Sequence, residues 1–171
     1  WKQKGYQVWA NDLQYYSYIL NRHYIGNHQD LYFTGLTSDI PELLVAGVNE
    51  IKNIVLAYLS QIEPTSWFIY KNYCFGGTLW GEYERQYFSD ENGKRCDAIR
   101  TQIELWKMEW KVTEDEYFFL LASLLEAIDK VANTASVYGA FLKKLKKSAQ
   151  KPLELKPAQY HLNDHDRSEE H

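Results

Sequence analysis

No stretch of these 171 residues approaches the ~18 consecutive apolar positions of a membrane-spanning helix, and no signal-peptide pattern stands at the start. That excludes a helical membrane protein and points to the cytoplasm. Cysteine is scarce: Cys74 and Cys96 lack metal-ligand spacing and are expected as reduced thiols, with a late pairing left open. Internal repeats are absent. Charge of one sign is also missing, since the net value of −4 argues against a surface coated in nucleic-acid contacts. Its uneven distribution matters more than the sum. What is abundant is apolar and aromatic: 45% hydrophobic and 16% aromatic residues, with 14 Tyr and six Trp, exclude a disordered chain. The length suits one domain with a real core, or two only if both are small.

The opening "WKQKGYQVWAND" reads as a helix end, a cap at Gly5 and a short strand from Tyr6 to Ala10. Beginning at a helix end suggests a chain cut from something longer. Asp12 can then act as N-cap of a helix carrying Leu13, Tyr16, Leu20 and Tyr24 and ended by Gly26. Ser38/Asp39 and Pro41 open a second helix that Pro64 stops, with Leu44, Val48, Ile51, Val55, Tyr58 and Ile62 on one face. "SWFIYKNYCF" is β-like, "FGGTLWGEY" a glycine-rich loop, and "YERQYFSDENGKRCDAI" suggests a hairpin turning at Asn92-Gly93. Ile99, Ile103 and Trp106 return to helical spacing. The strongest helix is "TEDEYFFLLASLLEAIDKV", with a Thr113/Glu116 capping box and Leu121, Leu124/Leu125, Ile128 and Val131 along one face. "ANTASVYGA" weakens that pattern, "FLKKLKKSAQK" is basic, and from Pro152 a polar, poorly ordered tail is expected.

Four features carry chemistry. Asp12 is either a helix cap or an acid at the end of a strand, where nucleotide-binding α/β folds accept hydrogen bonds from ribose hydroxyls. "FGGTLWG" is a tight loop in preference to a cofactor loop, because no good helix follows it. Lys143, Lys144, Lys146, Lys147 and Lys151 form the one concentrated charge, read equally as a solvated helix end or as phosphate contacts; Arg85, Lys94, Arg95 and Arg100 could extend that face. His161, His165 and His171 with Asp164 and Asp166 lack the scaffold a metal site requires, so no metal is expected.

Several segments together resemble one family. "ANDLQYYSYILNRHYIGN", "FIYKNYC", "ERQYFSDENGKRCDAIRTQIE" and "EYFFLLASLLEAIDKVANTASVYGAFLKKLKKSA" are similar to bacterial adenine-specific DNA methyltransferases of the restriction-modification type. The resemblance spans nearly the whole chain in order. It implies transfer of a methyl group from S-adenosylmethionine to the exocyclic amine of adenine in duplex DNA, which requires the base to be extruded. Asp12 stands where the family holds the cofactor ribose.

The departures are equally specific. The family's catalytic motif, Asp/Asn-Pro-Pro-Tyr/Phe, is absent: the only prolines are Pro41, Pro64, Pro152 and Pro157, none adjacent. The amino-terminal glycine loop is absent too. The chain is therefore expected to be an internal fragment, inactive alone. Its expected fold is mainly α with a little β, a piece of an α/β S-adenosylmethionine-dependent methyltransferase fold plus a helical target-recognition domain with a small hairpin. Residues 1–27 would be a partial cofactor domain, 28–151 the helical DNA target-recognition region, and 152–171 a polar linker or tail. Lys143, Lys144, Lys146 and Lys147 are assigned to phosphates, and Arg85, Lys94, Arg95 and Arg100 to groove or backbone. "NTASVYG" is either a DNA-facing loop offering Asn133, Ser136 and Tyr138, or a kink between two core helices. Double-stranded DNA and a cognate restriction endonuclease are the implied partners, with no membrane. The rival readings are a DNA-binding module without chemistry and a helical protein-interaction domain.

Overall fold

The computed structural model describes residues 1–135 and 140–162, together with the backbone of 168–170. It is mostly helical with little strand. A 3-10 turn at Lys2–Lys4 closes on Gly5, whose φ of 75° is the left-handed cap the sequence suggests. β1 (Val8–Ala10) pairs in parallel with β2 (Ser168–Glu170). Then follow α1 (Tyr15–Asn21) continued by a wider turn at Arg22–Gly26, α2 (Val48–Gln61), α3 (Phe68–Tyr73), α4 (Phe75–Thr78), α5 (Asp90–Met108) and α6 (Glu114–Val131).

The core lies between α5 and α6. Ile99, Ile103 and Trp106 of α5 and Phe119, Leu120 and Leu121 of α6 share one buried cluster and are fully excluded from solvent or nearly so. Alpha6 begins as its sequence dictates. Thr113 Oγ1 accepts from the Glu116 N–H while Glu116 Oε2 accepts from the Thr113 N–H, 2.8 Å away. The second oxygen of the buried Glu116 also takes the N–H of Phe33, so one carboxylate ties the helix start to the loop before α2.

Four local expectations are overturned. Asn92-Gly93 is no hairpin turn; both residues lie inside α5, which Ser89 caps by accepting from the Asn92 N–H. Asp90 and Glu91 in the first turn reinforce that start, so the helix signals override the turn dipeptide. Gly93 is needed for proximity, since a Cβ there would sit 2.1 Å from Cys74 Sγ. The β-like "SWFIYKNYCF" instead forms α3, because the buried Asp97 of α5 accepts from the N–H groups of Trp67, Ile69 and Tyr70 at 3.0, 2.8 and 2.9 Å. A cap supplied from a distant helix overrides aromatic β-propensity.

The second helix starts later than its caps suggested. Pro41–Leu44 is a 3-10 turn, and α2 opens at Gly47, whose N–H is taken by Glu50. Asp39 is occupied elsewhere, accepting from Trp106 Nε1 at 3.0 Å and from Lys111 Nζ at 2.9 Å. Leu44 is consequently exposed while Ile51, Val55, Leu56 and Leu59 are buried. Alpha1 likewise buries Ile19, and His23 follows on the same face, whereas Leu13 and Tyr16 point outward.

Residues 152–162 are no loose tail. Leu153 and Ala158 are buried, the Ala158 N–H donates to Ser123 Oγ at 3.1 Å, and Tyr160 Oη donates to the Gln29 carbonyl at 2.6 Å. A segment polar by composition packs because its few apolar residues meet α6 and the turn after α1.

Candidate nucleic-acid interface

The lysine segment is not a helix end. Alpha6 stops at Val131, where Ala132 turns extended (ψ 131°), and residues 141–151 run as bends and turns. Nearby, Asn133 lies completely buried. Its Nδ2 donates to the Gln86 and Leu142 carbonyls, both at 2.8 Å, and its Oδ1 accepts the Lys146 N–H at 3.0 Å. Main-chain bonds at the same residue join Asn133 N–H to Tyr87 O and Leu142 N–H to Asn133 O. Asn133 therefore builds the loop from within and cannot face DNA. Its expected contact role is corrected by these bonds. Ser136 and Tyr138 lie outside the described residues.

A second buried asparagine holds the far side. Asn92 Nδ2 donates to the Lys151 carbonyl at 2.9 Å and to Ala149 O at 3.4 Å, while Oδ1 accepts the Leu153 N–H at 2.8 Å. The backbone between these two anchors presents Lys143, Lys144 and Lys147 outward, all exposed. Lys146 differs, for its ammonium donates back to the Thr134 carbonyl at 2.8 Å. Three free-facing cations on one braced turn suit a phosphate backbone, which rewards positive charge without demanding base-edge geometry.

The other basic candidates are tied inward. Arg95 Nη1 donates to Ser60 O at 2.7 Å and Ile62 O at 3.1 Å, satisfying the C-terminal carbonyls of α2. Arg100 pairs with Glu104 one turn along α5. Lys94 lies 4.6 Å over the Tyr70 ring, and Arg85 Nη1 donates to Asn72 O at 3.2 Å. Each of the four thus has a partner outside the lysine loop. Arg85 adjoins Gln86, whose carbonyl Asn133 holds, and Lys94 and Arg95 lie within three residues of Asn92, which holds the far side of the loop.

At the other end of the chain, Asp12 follows β1 and is exposed. It is not the helix cap the sequence suggested: its Oδ1 accepts the Gln14 N–H at 2.9 Å in an Asx turn, while Gln14 itself stands at the N-cap of α1 with no side-chain cap. Around it Trp9, Leu13, Tyr15 and Tyr16 expose apolar surface. "FGGTLWG" is a packing element: α4 occupies its first half, and a Cβ at Gly77 would lie 2.0 Å from the Tyr70 carbonyl oxygen. No cluster of metal-ligating side chains occurs among the described residues. His161 contacts Gln3, while His165, His171, Asp164 and Asp166 lie outside the described residues. Both cysteines are buried free thiols; burial pushes Cys74 up to about 12 and Cys96 higher still, which leaves them unreactive. No described helix is long and apolar enough to cross a membrane.

Of the two asparagines that organise this surface, Asn92 is invisible as such in the sequence, where it looks like a turn residue.

The family described as D12 class N6 adenine-specific DNA methyltransferase matches residues 1–171. Among curated relatives, the type II methyltransferase M.NlaIII of Neisseria lactamica is 54% identical over 156 residues, which is 91% of this chain and 40% of that protein. M.CviAII of Paramecium bursaria Chlorella virus 1 is 37% identical over 155 residues, again 91% of the chain and 40% of the relative. The modification methylase StsI of Streptococcus sanguinis is 35% identical over 151 residues, 88% of the chain and 21% of the relative. The chain thus spans well under half the length of these relatives. No solved structure matches it significantly.

Proposed function

Because the chain belongs to the D12 class of N6 adenine-specific DNA methyltransferases, we propose that it is the DNA-engaging part of a site-specific enzyme that methylates the exocyclic amine of adenine in duplex DNA. The match along all 171 residues carries this reading. The methyl donor is S-adenosylmethionine, which supplies an activated methyl group. Asp12 fits its ribose: an exposed carboxylate at the end of β1, with Oδ1 oriented by the Gln14 N–H, can accept from vicinal hydroxyls. Trp9, Leu13, Tyr15 and Tyr16 then pack against the remainder of the cofactor domain in the intact protein.

Lys143, Lys144 and Lys147 contact phosphates, and Lys146 adds charge while bracing the loop. Arg95 and Arg100 serve α2 and α5 more than DNA, as do Arg85 and Lys94 with their own partners. Sequence discrimination falls to the region from about His28 to the lysine loop, and a restriction endonuclease of the same specificity is the expected companion.

The test uses the full-length parent protein. Incubated with duplex DNA and S-adenosylmethionine, it should produce N6-methyladenine detectable by mass spectrometry of digested nucleosides. Duplex binding without methylation would replace this reading by a DNA-binding module. Neither binding nor methylation would leave a protein-interaction domain.

A further inference from the structure

Resting on the phosphate-contact reading of the lysine loop, we infer that Asn133 and Asn92 are positioning residues for DNA binding, two buried clamps that fix the loop before DNA arrives. The clamps act from different elements. Asn133 follows α6 and holds Leu142 and Lys146; Asn92, in α5, holds Ala149, Lys151 and Leu153. Each satisfies three backbone groups with one buried amide, and an amide is the side chain that can both donate twice and accept in one place. Between them, the Ala149 and Gln150 N–H groups close on the Lys146 carbonyl and the Lys151 N–H on that of Ser148, so the interval from Lys146 to Lys151 is itself bonded.

Three exposed lysines on an unbraced segment would lose conformational freedom on each binding event. Bracing removes that cost beforehand, because the loop is already in the shape that presents Lys143, Lys144 and Lys147 together. The asparagines therefore set affinity without touching DNA and without changing the number of phosphates neutralised.

The distinction can be measured as a double-mutant cycle in the full-length parent enzyme, with a fixed DNA duplex at several salt concentrations. Asn92→Ala should raise Kd by about tenfold, the scale of ordering a loop on binding, at an unchanged slope of log K against log salt. Lys143→Ala/Lys144→Ala/Lys147→Ala should instead make that slope shallower by about 0.9 for each contact removed. In the triple-lysine background, Asn92→Ala should change Kd by less than about twofold, since nothing remains to be positioned. Asn133→Ala should behave as Asn92→Ala does. Amide exchange should quicken across 141–153 while the α5 and α6 core stays protected. If Asn92→Ala does not fold, Asn92→Ser, which keeps one acceptor and one donor, decides with an intermediate loss. An equal loss in both backgrounds, or no loss in the native background despite faster loop exchange, overturns the inference. If the triple-lysine variant binds as the native protein does, the phosphate-contact reading has failed rather than the clamp.

Discussion

The ring of His23 is oriented by Asn27. Asn27 Nδ2 donates to His23 Nδ1 at 3.0 Å, and His23 Nε2 donates to the Ala158 carbonyl at 3.2 Å. Protonating Nδ1 would turn two donors toward each other in a fully buried site. Desolvation by burial dominates and lowers the pKa from an ordinary 6.5 to about 4, even though the Ala158 bond opposes it; Lys2, Lys52 and Arg22 lower it further.

The first prediction is a pH dependence of stability. In the unfolded chain His23 takes a proton below about 6.5, whereas in the folded chain it resists until about 4. Its contribution is complete above pH 6.5 and is lost as pH falls from there to 4, by about 3 kcal/mol at most. Urea unfolding at pH 7, 5.5 and 4.5 should show this decline, and His23→Gln should flatten it. A variant with the native decline would remove His23 from the account.

A second prediction concerns Asp97, whose carboxylate receives three main-chain N–H groups. Asp97→Ala strands them at the start of α3 and should destabilise the fold by about 3 kcal/mol. Asp97→Asn keeps an acceptor and should lose less. Far-UV circular dichroism with urea titration reads both; equal stability of Asp97→Ala and the native chain would contradict the capping role.

Gly77 provides a steric test. A methyl group there meets the Tyr70 carbonyl at 2.0 Å, and a backbone atom cannot rotate aside. Gly77→Ala should cost about 1–3 kcal/mol, the range for overpacking, although alanine is normally the better helix former. A thermal unfolding midpoint that rises instead would show that α4 can shift.

Asp12 is tested in the full-length parent enzyme. Asp12→Asn preserves the Oδ1 bond to the Gln14 N–H, so α1 should keep its start and the thermal midpoint should not move. Cofactor affinity, read by calorimetry, should fall about tenfold or more, the worth of hydrogen bonds to an ionised group. Unchanged affinity would leave Asp12 with the Asx turn alone.

The legible parts of this chain were those whose partners are near in sequence. The Thr113/Glu116 box, the Gly5 cap and the Ile99, Ile103, Trp106 stripe declared themselves because the residues that satisfy one another stand three or four positions apart. Alpha3 and the lysine loop did not, because Asp97 reaches back 27 to 30 residues and Asn92 reaches forward by 57 to 61. Asn92-Gly93 misled for a related reason: its local chemistry suits a turn, and only the approach of Cys74 explains the glycine. Of the candidate site, the exposed lysines were readable as charge. Which lysine turns inward, and which asparagines hold the rest, depended on contacts no window of sequence contains.

The bond between His23 and Ala158 joins residues 135 apart, and Tyr160 meets Gln29 across 131. During synthesis the carbonyl that completes the buried His23 emerges only when residue 158 does. The turn after α1 therefore matures after the lysine loop has been synthesised, and contacts of such long range form slowly. Synthesis must therefore run through the lysine loop before the His23 ring gains its last partner.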